Sequence, residues 1–124
     1  MSCLKNTDIE IRQDRIVIYC KLEDASKPFL SLEQQIKVQK IFPEISNHFC
    51  KSKTDKISIP HLYEHLIINN EVKYTSKDDF IFVGTTEWLN KMAGTAKIEL
   101  NYYDRDMSIR SIEKALEDLH LTLE

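Results

Sequence analysis

Hydrophobic residues near the start of the chain alternate with polar ones as they do in a β-hairpin. Residues 8–12 and 15–22 form two such runs on either side of Gln13 and Asp14. The second run is rich in β-branched and aromatic residues, which suit the pleated surface of a sheet. The pattern therefore predicts two antiparallel strands joined by a short turn.

A helical spacing replaces this alternation in the next stretch of the chain. Between residues 32 and 49 the apolar positions mostly recur every three or four residues, and Ser31 stands before them as a typical N-cap. Pro43 lies inside the stretch, and proline removes a backbone donor and clashes with the preceding turn. We therefore predict a helix that kinks or breaks in two at Pro43.

A second, shorter helix is predicted from about residue 60 to residue 69. Ser58 precedes it, and Pro60 falls in its first turn, where proline is well tolerated. The pair Asn69 and Asn70 is expected to end it.

The second half of the chain predicts more sheet. Residues 72–75 and 80–83 are short strand candidates, and residues 96–103 alternate as a half-buried strand does. Gly84 and Gly94 flank a segment that contains Trp88, which we predict to be a loop.

One amphipathic helix is predicted to close the chain. Ser108 would cap it, and its apolar positions lie on one face (Ile109, Ile112, Ala115, Leu116 and Leu119). Together the elements predict an α+β fold over residues 1–124 as a single domain. An antiparallel sheet of about five strands would have helices packed on one face, with one short helix near the middle of the chain.

Composition and charge narrow the class of protein. The chain has 124 residues, a net charge of −3 with both signs interspersed, and 42% hydrophobic residues. This is typical of a globular domain, and it offers neither the basic surface that binds nucleic acid nor a membrane-spanning run. The three cysteines are widely spaced and odd in number, so we expect free thiols and a cytoplasmic protein.

The most distinctive motif is the pattern HxxEH formed by His61, Glu64 and His65. Residues three and four apart lie on one face of a helix, so the three side chains should project together. Two imidazoles one turn apart can hold a Zn²⁺ ion, and a carboxylate beside them can accept a proton from the attacking water. The motif is the inverted form of the HExxH zinc-hydrolase motif. It therefore predicts His61 and His65 as zinc ligands and Glu64 as the catalytic base.

The motif is also one of several sequence segments that follow one another in a recognisable order. Residues 15–18, 22–24 and 42–50 precede it, and residues 83–86, 100–102 and 115–116 follow it. In this order the chain resembles the N-terminal domain of cyanophycin synthetases, here as a free-standing domain. The resemblance implies a domain that handles a peptide polymer, and in some members a zinc hydrolase that cuts it. It assigns the same roles to His61, Glu64 and His65.

The third zinc ligand is open, because the resemblance implies a glutamate where this chain has Asn69. A catalytic zinc site needs three protein ligands. Glu71 is the first candidate, provided that the helix ends at Asn69 and Asn70. Glu87 and Glu99 are weaker candidates, and Cys50 is another because thiolates bind zinc well. A homodimer that completes the site across its interface is a further arrangement.

Two residues are candidates for substrate binding. Trp88 could line a groove from its predicted loop, although such residues more often pack against a sheet. Arg105 lies in a charged turn that could contact a charged peptide, although a solvated turn has the same composition.

Three functions follow from these patterns. The leading hypothesis is a zinc-dependent hydrolase of a peptide or isopeptide bond, with a cyanophycin-like polymer or a modified peptide as its substrate. The second is a non-catalytic peptide-binding module whose metal motif is vestigial, which Asn69 favours. The third is a small acidic inhibitor of the immunity or antitoxin kind, which the size and charge of the chain would suit.

Overall fold

The predicted N-terminal hairpin forms the first two strands of the sheet. The computed structural model describes residues 3–45, 56–75 and 80–123. Strand β1 spans Leu4–Ile11 and strand β2 spans Ile16–Leu22, and they pair antiparallel. The turn between them is closed by a hydrogen bond from the Arg12 backbone N–H to the Arg15 carbonyl, at 2.8 Å. The predicted strand pair is thus confirmed.

A second hairpin completes the sheet. Strand β3 spans Gly84–Asn90 and strand β4 spans Thr95–Leu100, and β4 pairs antiparallel with both β2 and β3. The order across the sheet is β1-β2-β4-β3, so β1 and β3 are its edges. Gly94 lies in the turn between β3 and β4 with a φ of 75°, a backbone conformation that glycine adopts without steric cost.

The α+β class is confirmed, but the described residues form a sheet of four strands rather than about five. Residues 72–74, predicted as strand, are helical. Residues 80–83 lie beside the end of β4 without joining the sheet, and the Asn101 side chain holds them through the Val83 N–H and the Ile81 carbonyl, at 2.8 and 2.9 Å.

The segment around Trp88, predicted as a loop, is strand β3. Its run of threonine and tryptophan favours a pleated surface, and pairing with β4 outweighs the flanking glycines.

Helix α1 spans Leu32–Ile41 and begins at the predicted N-cap, Ser31. Ser31 and Gln34 form a capping box, in which each side chain accepts the other residue's backbone N–H, at 3.1 and 2.8 Å. Phe42 leaves the helical conformation with φ −127° and ψ 66°, as expected for a residue that precedes proline. Residues 43–45 are helical again, which confirms the predicted break at Pro43. The rest of that prediction, residues 46–49, lies outside the described residues.

Helix α2 spans Ile59–Tyr74 and is longer than the short helix that the sequence predicts. Its start is confirmed, because Ser58 is the N-cap and Pro60 lies in the first turn. Its predicted end is wrong. The amide of Asn69 bonds to Glu44 at 3.1 Å, and the amide of Asn70 bonds to the Ser111 carbonyl at 3.3 Å. Because both side chains bond to other parts of the molecule, they do not compete for the backbone hydrogen bonds of α2, and the helix continues for another turn.

Helix α3 spans Arg105–Leu123 and begins three residues before the predicted cap. The Asp104 carboxylate accepts the Met107 backbone N–H at 2.9 Å, so Asp104 takes the capping role predicted for Ser108. Ser108 is instead buried inside the helix. The predicted apolar face is present, since Ile112, Ala115 and Leu119 are buried.

The core lies between the sheet and the two long helices. The sheet residues that it includes share one face (Ile16, Ile18, Cys20, Leu22, Ala96, Ile98 and Leu100), and α2 adds Leu62, Tyr63, Leu66 and Ile67. Helices α2 and α3 run in opposite directions, since Asn70 contacts Ser111 and Glu71 lies beside Ser108. Among the residues that the structure describes, none of the helices combines the length and apolar character needed to cross a bilayer.

Candidate metal centre

The first turns of α2 bring the three motif residues together. Ser58 fixes the start of the helix by accepting the His61 backbone N–H at 3.2 Å. From there the helical spacing places His61, Glu64 and His65 on one face, and one donor atom from each lies within 4.8 Å of the others. The prediction from spacing alone thus agrees with the observed grouping of the three side chains.

The two histidine rings are close enough to share one ligand. Their Nε2 atoms are 3.1 Å apart, and the ring centroids are 4.8 Å apart at 54°. Two nitrogens bound tetrahedrally to one zinc, at 2.0–2.1 Å each, would lie about 3.3 Å apart. The separation of the two nitrogens is therefore close to that of two histidine ligands on one zinc ion. It equally fits a hydrogen bond in which one ring nitrogen donates to the other.

Glu64 is held beside the histidines rather than in solvent. Its side chain is only 5% exposed. Its Oε1 accepts a hydrogen bond from the Thr86 hydroxyl at 2.6 Å, and its Oε2 lies 3.9 Å from the His65 Nε2. Thr86 is on β3, so the edge strand of the sheet orients the carboxylate. The second oxygen of Glu64 is left facing the histidine pair.

Gly84 lets α2 approach β3 closely at this point. A Cβ atom at position 84 would lie 2.6 Å from Leu100 Cδ2, 3.1 Å from Glu64 Cγ and 3.2 Å from Ile68 Cδ1. These distances are shorter than ordinary van der Waals contacts, so a side chain at position 84 would require the Leu100 methyl to move and would crowd Glu64 and Ile68. Gly84 and Thr86 are thus part of the site, and sequence reasoning did not assign them a role. The alternation of Gly84, Thr86 and Trp88 was the available signal, and it is informative only once this segment is recognised as a strand.

Glu71, the first candidate for the third ligand, is placed elsewhere. Its condition was that the helix should end at Asn69 and Asn70, but α2 continues to Tyr74. Glu71 is six positions after His65 and ten after His61, rises of about 9 and about 15 Å along the helix. Glu71 lies buried between α2 and α3, and it does not belong to the group of donor atoms around the motif.

The environment of Glu71 is unusual in its own right. Among the described residues, neither of its carboxylate oxygens nor the Ser108 hydroxyl has a hydrogen-bond partner. Burial raises the pKa of Glu71 to about 7, and the neighbouring Ser108 hydroxyl partly opposes this increase.

The weaker candidates for the third ligand also lie away from the motif. Glu87 and Glu99 project from the sheet face opposite α2, because they alternate with the core-facing residues of β3 and β4. Lys97 bonds to both of them, at 2.9 and 3.2 Å, and Arg15 bonds to Glu99 at 3.0 Å. Cys50 lies outside the described residues.

The two candidates for substrate binding lie at different ends of the molecule. Trp88 is on the same face of β3 as Thr86, and it lies two residues closer to the start of α2. Its partly buried ring packs against the core. Arg105 is exposed at the start of α3, near the far end of α2. The structure therefore brings Trp88 towards the motif and does not bring Arg105 there.

Comparisons of the chain with models of protein families, with curated proteins and with solved structures give no match.

Proposed function

We propose that the protein is a zinc-dependent hydrolase of peptide or isopeptide bonds. The observation that carries the proposal is the His61–His65 pair, with Nε2 atoms 3.1 Å apart, beside a carboxylate held by Thr86. Imidazole nitrogens at this separation are a donor set that suits zinc. Bound there, zinc would polarise the scissile carbonyl and make water a better nucleophile.

The residues of the site would divide the remaining work. His61 and His65 would supply two of the three protein ligands of the metal, and Glu64 would accept a proton at Oε2 from the attacking water and pass it to the leaving amine. Thr86 would keep the other oxygen of Glu64 fixed, so that only Oε2 faces the reaction. The resemblance to the N-terminal domain of cyanophycin synthetases supports a peptide or peptide polymer as the substrate.

The variant Glu64→Gln tests the role of the carboxylate. The amide keeps an oxygen that can accept the Thr86 hydrogen bond, but it cannot accept a proton. We therefore expect wild-type folding and zinc binding with a loss of turnover of at least about a hundredfold. The measurement is cleavage of a library of fluorogenic peptides and isopeptides by the zinc-loaded protein. The exposed Glu113→Gln on α3 is the matched control. Full activity in Glu64→Gln would refute the mechanism.

A peptide-binding module without catalysis is the second candidate. The observation that favours it is the same 3.1 Å contact, because a histidine pair can be joined by a hydrogen bond without any metal. Asn69 supports it as well, since its amide bonds to Glu44 rather than turning towards the motif. This candidate predicts saturable peptide binding that the variant His61→Ala does not weaken, with no cleavage.

A further inference from the structure

Two lysine side chains converge on one aromatic ring near the start of α2. The Lys91 ammonium lies 4.9 Å from the centre of the Phe29 ring, and the Lys56 ammonium lies 5.5 Å from it. Lys56 precedes α2, and Lys91 is in the turn after β3. The two charges are therefore no further apart than the sum of these distances, although they come from separate segments of the chain.

Backbone hydrogen bonds fix the ring beside the N-terminus of α2. Phe29 forms a β-bridge with Ser58, and the Ile59 N–H donates to the Pro28 carbonyl at 2.9 Å. Ser58 is three residues before His61, a rise of about 5 Å along the helix. The lysine pair and the histidine pair are thus neighbours at the same end of α2.

Strand β3 runs from the histidine pair towards the lysine pair. Its first residues lie beside Glu64 and Ile68, and Thr86 bonds to Glu64, so the strand runs towards the start of α2. Trp88 and then Lys91 follow in that direction. The surface therefore passes from the histidine pair, past Trp88, to the lysine pair.

Within the described residues the two lysines have no ion-pair partner, although the carboxylates of Glu23 and Asp24 line the same cavity as Phe29. Neither Lys56 nor Lys91 forms an ion pair there, whereas Lys97, Lys73 and Lys114 each do. The first turn of α2 contains no acidic residue, and its helix dipole adds further positive potential. Two like charges held near one ring repel each other, and an anion in contact with both would relieve that repulsion.

We infer that Lys56, Lys91 and Phe29 form a subsite for a carboxylate of the substrate, next to the metal centre. The inference rests on the proposed function for the peptide nature of that substrate. The carboxylate would belong to an aspartate or glutamate side chain or to the C-terminus of the peptide. Binding there would place a nearby amide bond of the peptide at His61 and His65.

The test is calorimetric titration of the protein in the presence of a chelator with three peptides. They are acetyl-Ala-Asp-Asp-Ala-amide, acetyl-tetra-alanine with a free carboxylate, and acetyl-tetra-alanine amide. We expect the first or second peptide to bind and the neutral amide not to bind, and the arm that binds identifies the source of the carboxylate. In Lys56→Met/Lys91→Met, which keeps apolar cover over Phe29, affinity should fall on the order of tenfold.

The matched control is Lys40→Met/Lys73→Met, which removes the same charge from the far ends of α1 and α2. It should change affinity by less than about twofold, because exposed charges beyond a Debye length are screened. Equal losses in the two double variants would overturn the inference, as would equal binding of the neutral peptide or no binding of any carboxylate peptide at millimolar concentration. Because metal is removed, these results do not depend on catalysis. If the protein bound zinc and cleaved neutral peptides, the carboxylate subsite would be refuted while the proposed hydrolase would stand.

Discussion

At the scale of single residues, the site depends on one hydroxyl that the motif does not contain. Thr86 donates to Glu64 at 2.6 Å, and the Glu64 side chain is almost completely buried. A buried carboxylate oxygen that lacks a hydrogen-bond donor destabilises the folded state, because it has given up its hydrogen bonds to water. Thr86 is therefore a positioning residue for the proposed base.

The variant Thr86→Val tests this role. Valine keeps the shape and the strand preference of threonine but cannot donate a hydrogen bond, so Glu64 Oε1 would be left without a partner. We expect a loss of about 1–3 kcal/mol in the free energy of unfolding, measured by urea denaturation. Turnover should fall with little change in zinc affinity.

The neighbouring threonine provides the control. Thr85 is exposed on the opposite face of β3, so Thr85→Val should change stability by less than about 0.5 kcal/mol. Equal stability and equal activity in the two variants would show that the hydroxyl of Thr86 does not orient Glu64.

Residue patterns gave the motif but not the residues that support it. The grouping of His61, Glu64 and His65 on one face follows from the helical period, so their spacing in the sequence is enough to predict it. Gly84 and Thr86 act through a contact between α2 and β3, and a long-range contact cannot be read from local periodicity. The position of Glu71 depends on tertiary structure in the same way, since α2 continues past Asn70, whose side chain bonds to the Ser111 carbonyl.

At the scale of elements, the packing of α2 against α3 encloses the Glu71 carboxyl. The pKa of this group is raised to about 7 by burial, against an ordinary value of 4.5. Between these two values the folded protein holds a proton that the unfolded chain has released. The free energy of unfolding should therefore fall as the pH rises from about 4.5 to about 7, by about 3 kcal/mol, and should not fall further above that range through this group.

The variant Glu71→Gln checks this dependence. Glutamine has no proton to lose, so the variant should match the wild type near pH 4.5 and exceed its free energy of unfolding at pH 8 by about 3 kcal/mol. Urea denaturation at the two pH values is the measurement, and Glu113→Gln on the exposed side of α3 is the control. If the difference between Glu71→Gln and the wild type were the same at both pH values, Glu71 would not carry the pH dependence.

Element types followed from the sequence where local signals agreed. The hairpin β1–β2, the N-cap at Ser31 and the break at Pro43 each depend on neighbouring residues, and the local sequence predicts each of them. The strand β3 was not, because glycines at its start and in the following turn suggested a loop, and only its pairing with β4 makes it a strand. Valine and tyrosine at positions 72 and 74 are residue types that favour sheets, but residues 72–74 are the last turn of α2, which packs against α3.

At the scale of the whole molecule, one sheet face and two antiparallel helices form the core, and the motif lies where the helix meets the edge strand. The alternation along the strands predicted this α+β arrangement but not the number of strands. The histidine pair, Trp88 and the pair Lys56 and Lys91 lie in order along the junction of α2 with β3. The homodimer considered from the sequence stays a prediction, with β3 as an open edge of the sheet.

The most direct test of this account is the zinc content of the protein purified without a histidine tag, measured by inductively coupled plasma mass spectrometry. The account predicts close to one zinc per chain in the wild type after excess metal is removed, and none in His61→Ala/His65→Ala. Retention of zinc in Glu64→Gln would agree with a base that is not a ligand. Absence of zinc from the wild type, even after incubation with zinc, would contradict the metal centre and would leave the histidine pair as a hydrogen-bonded feature of α2.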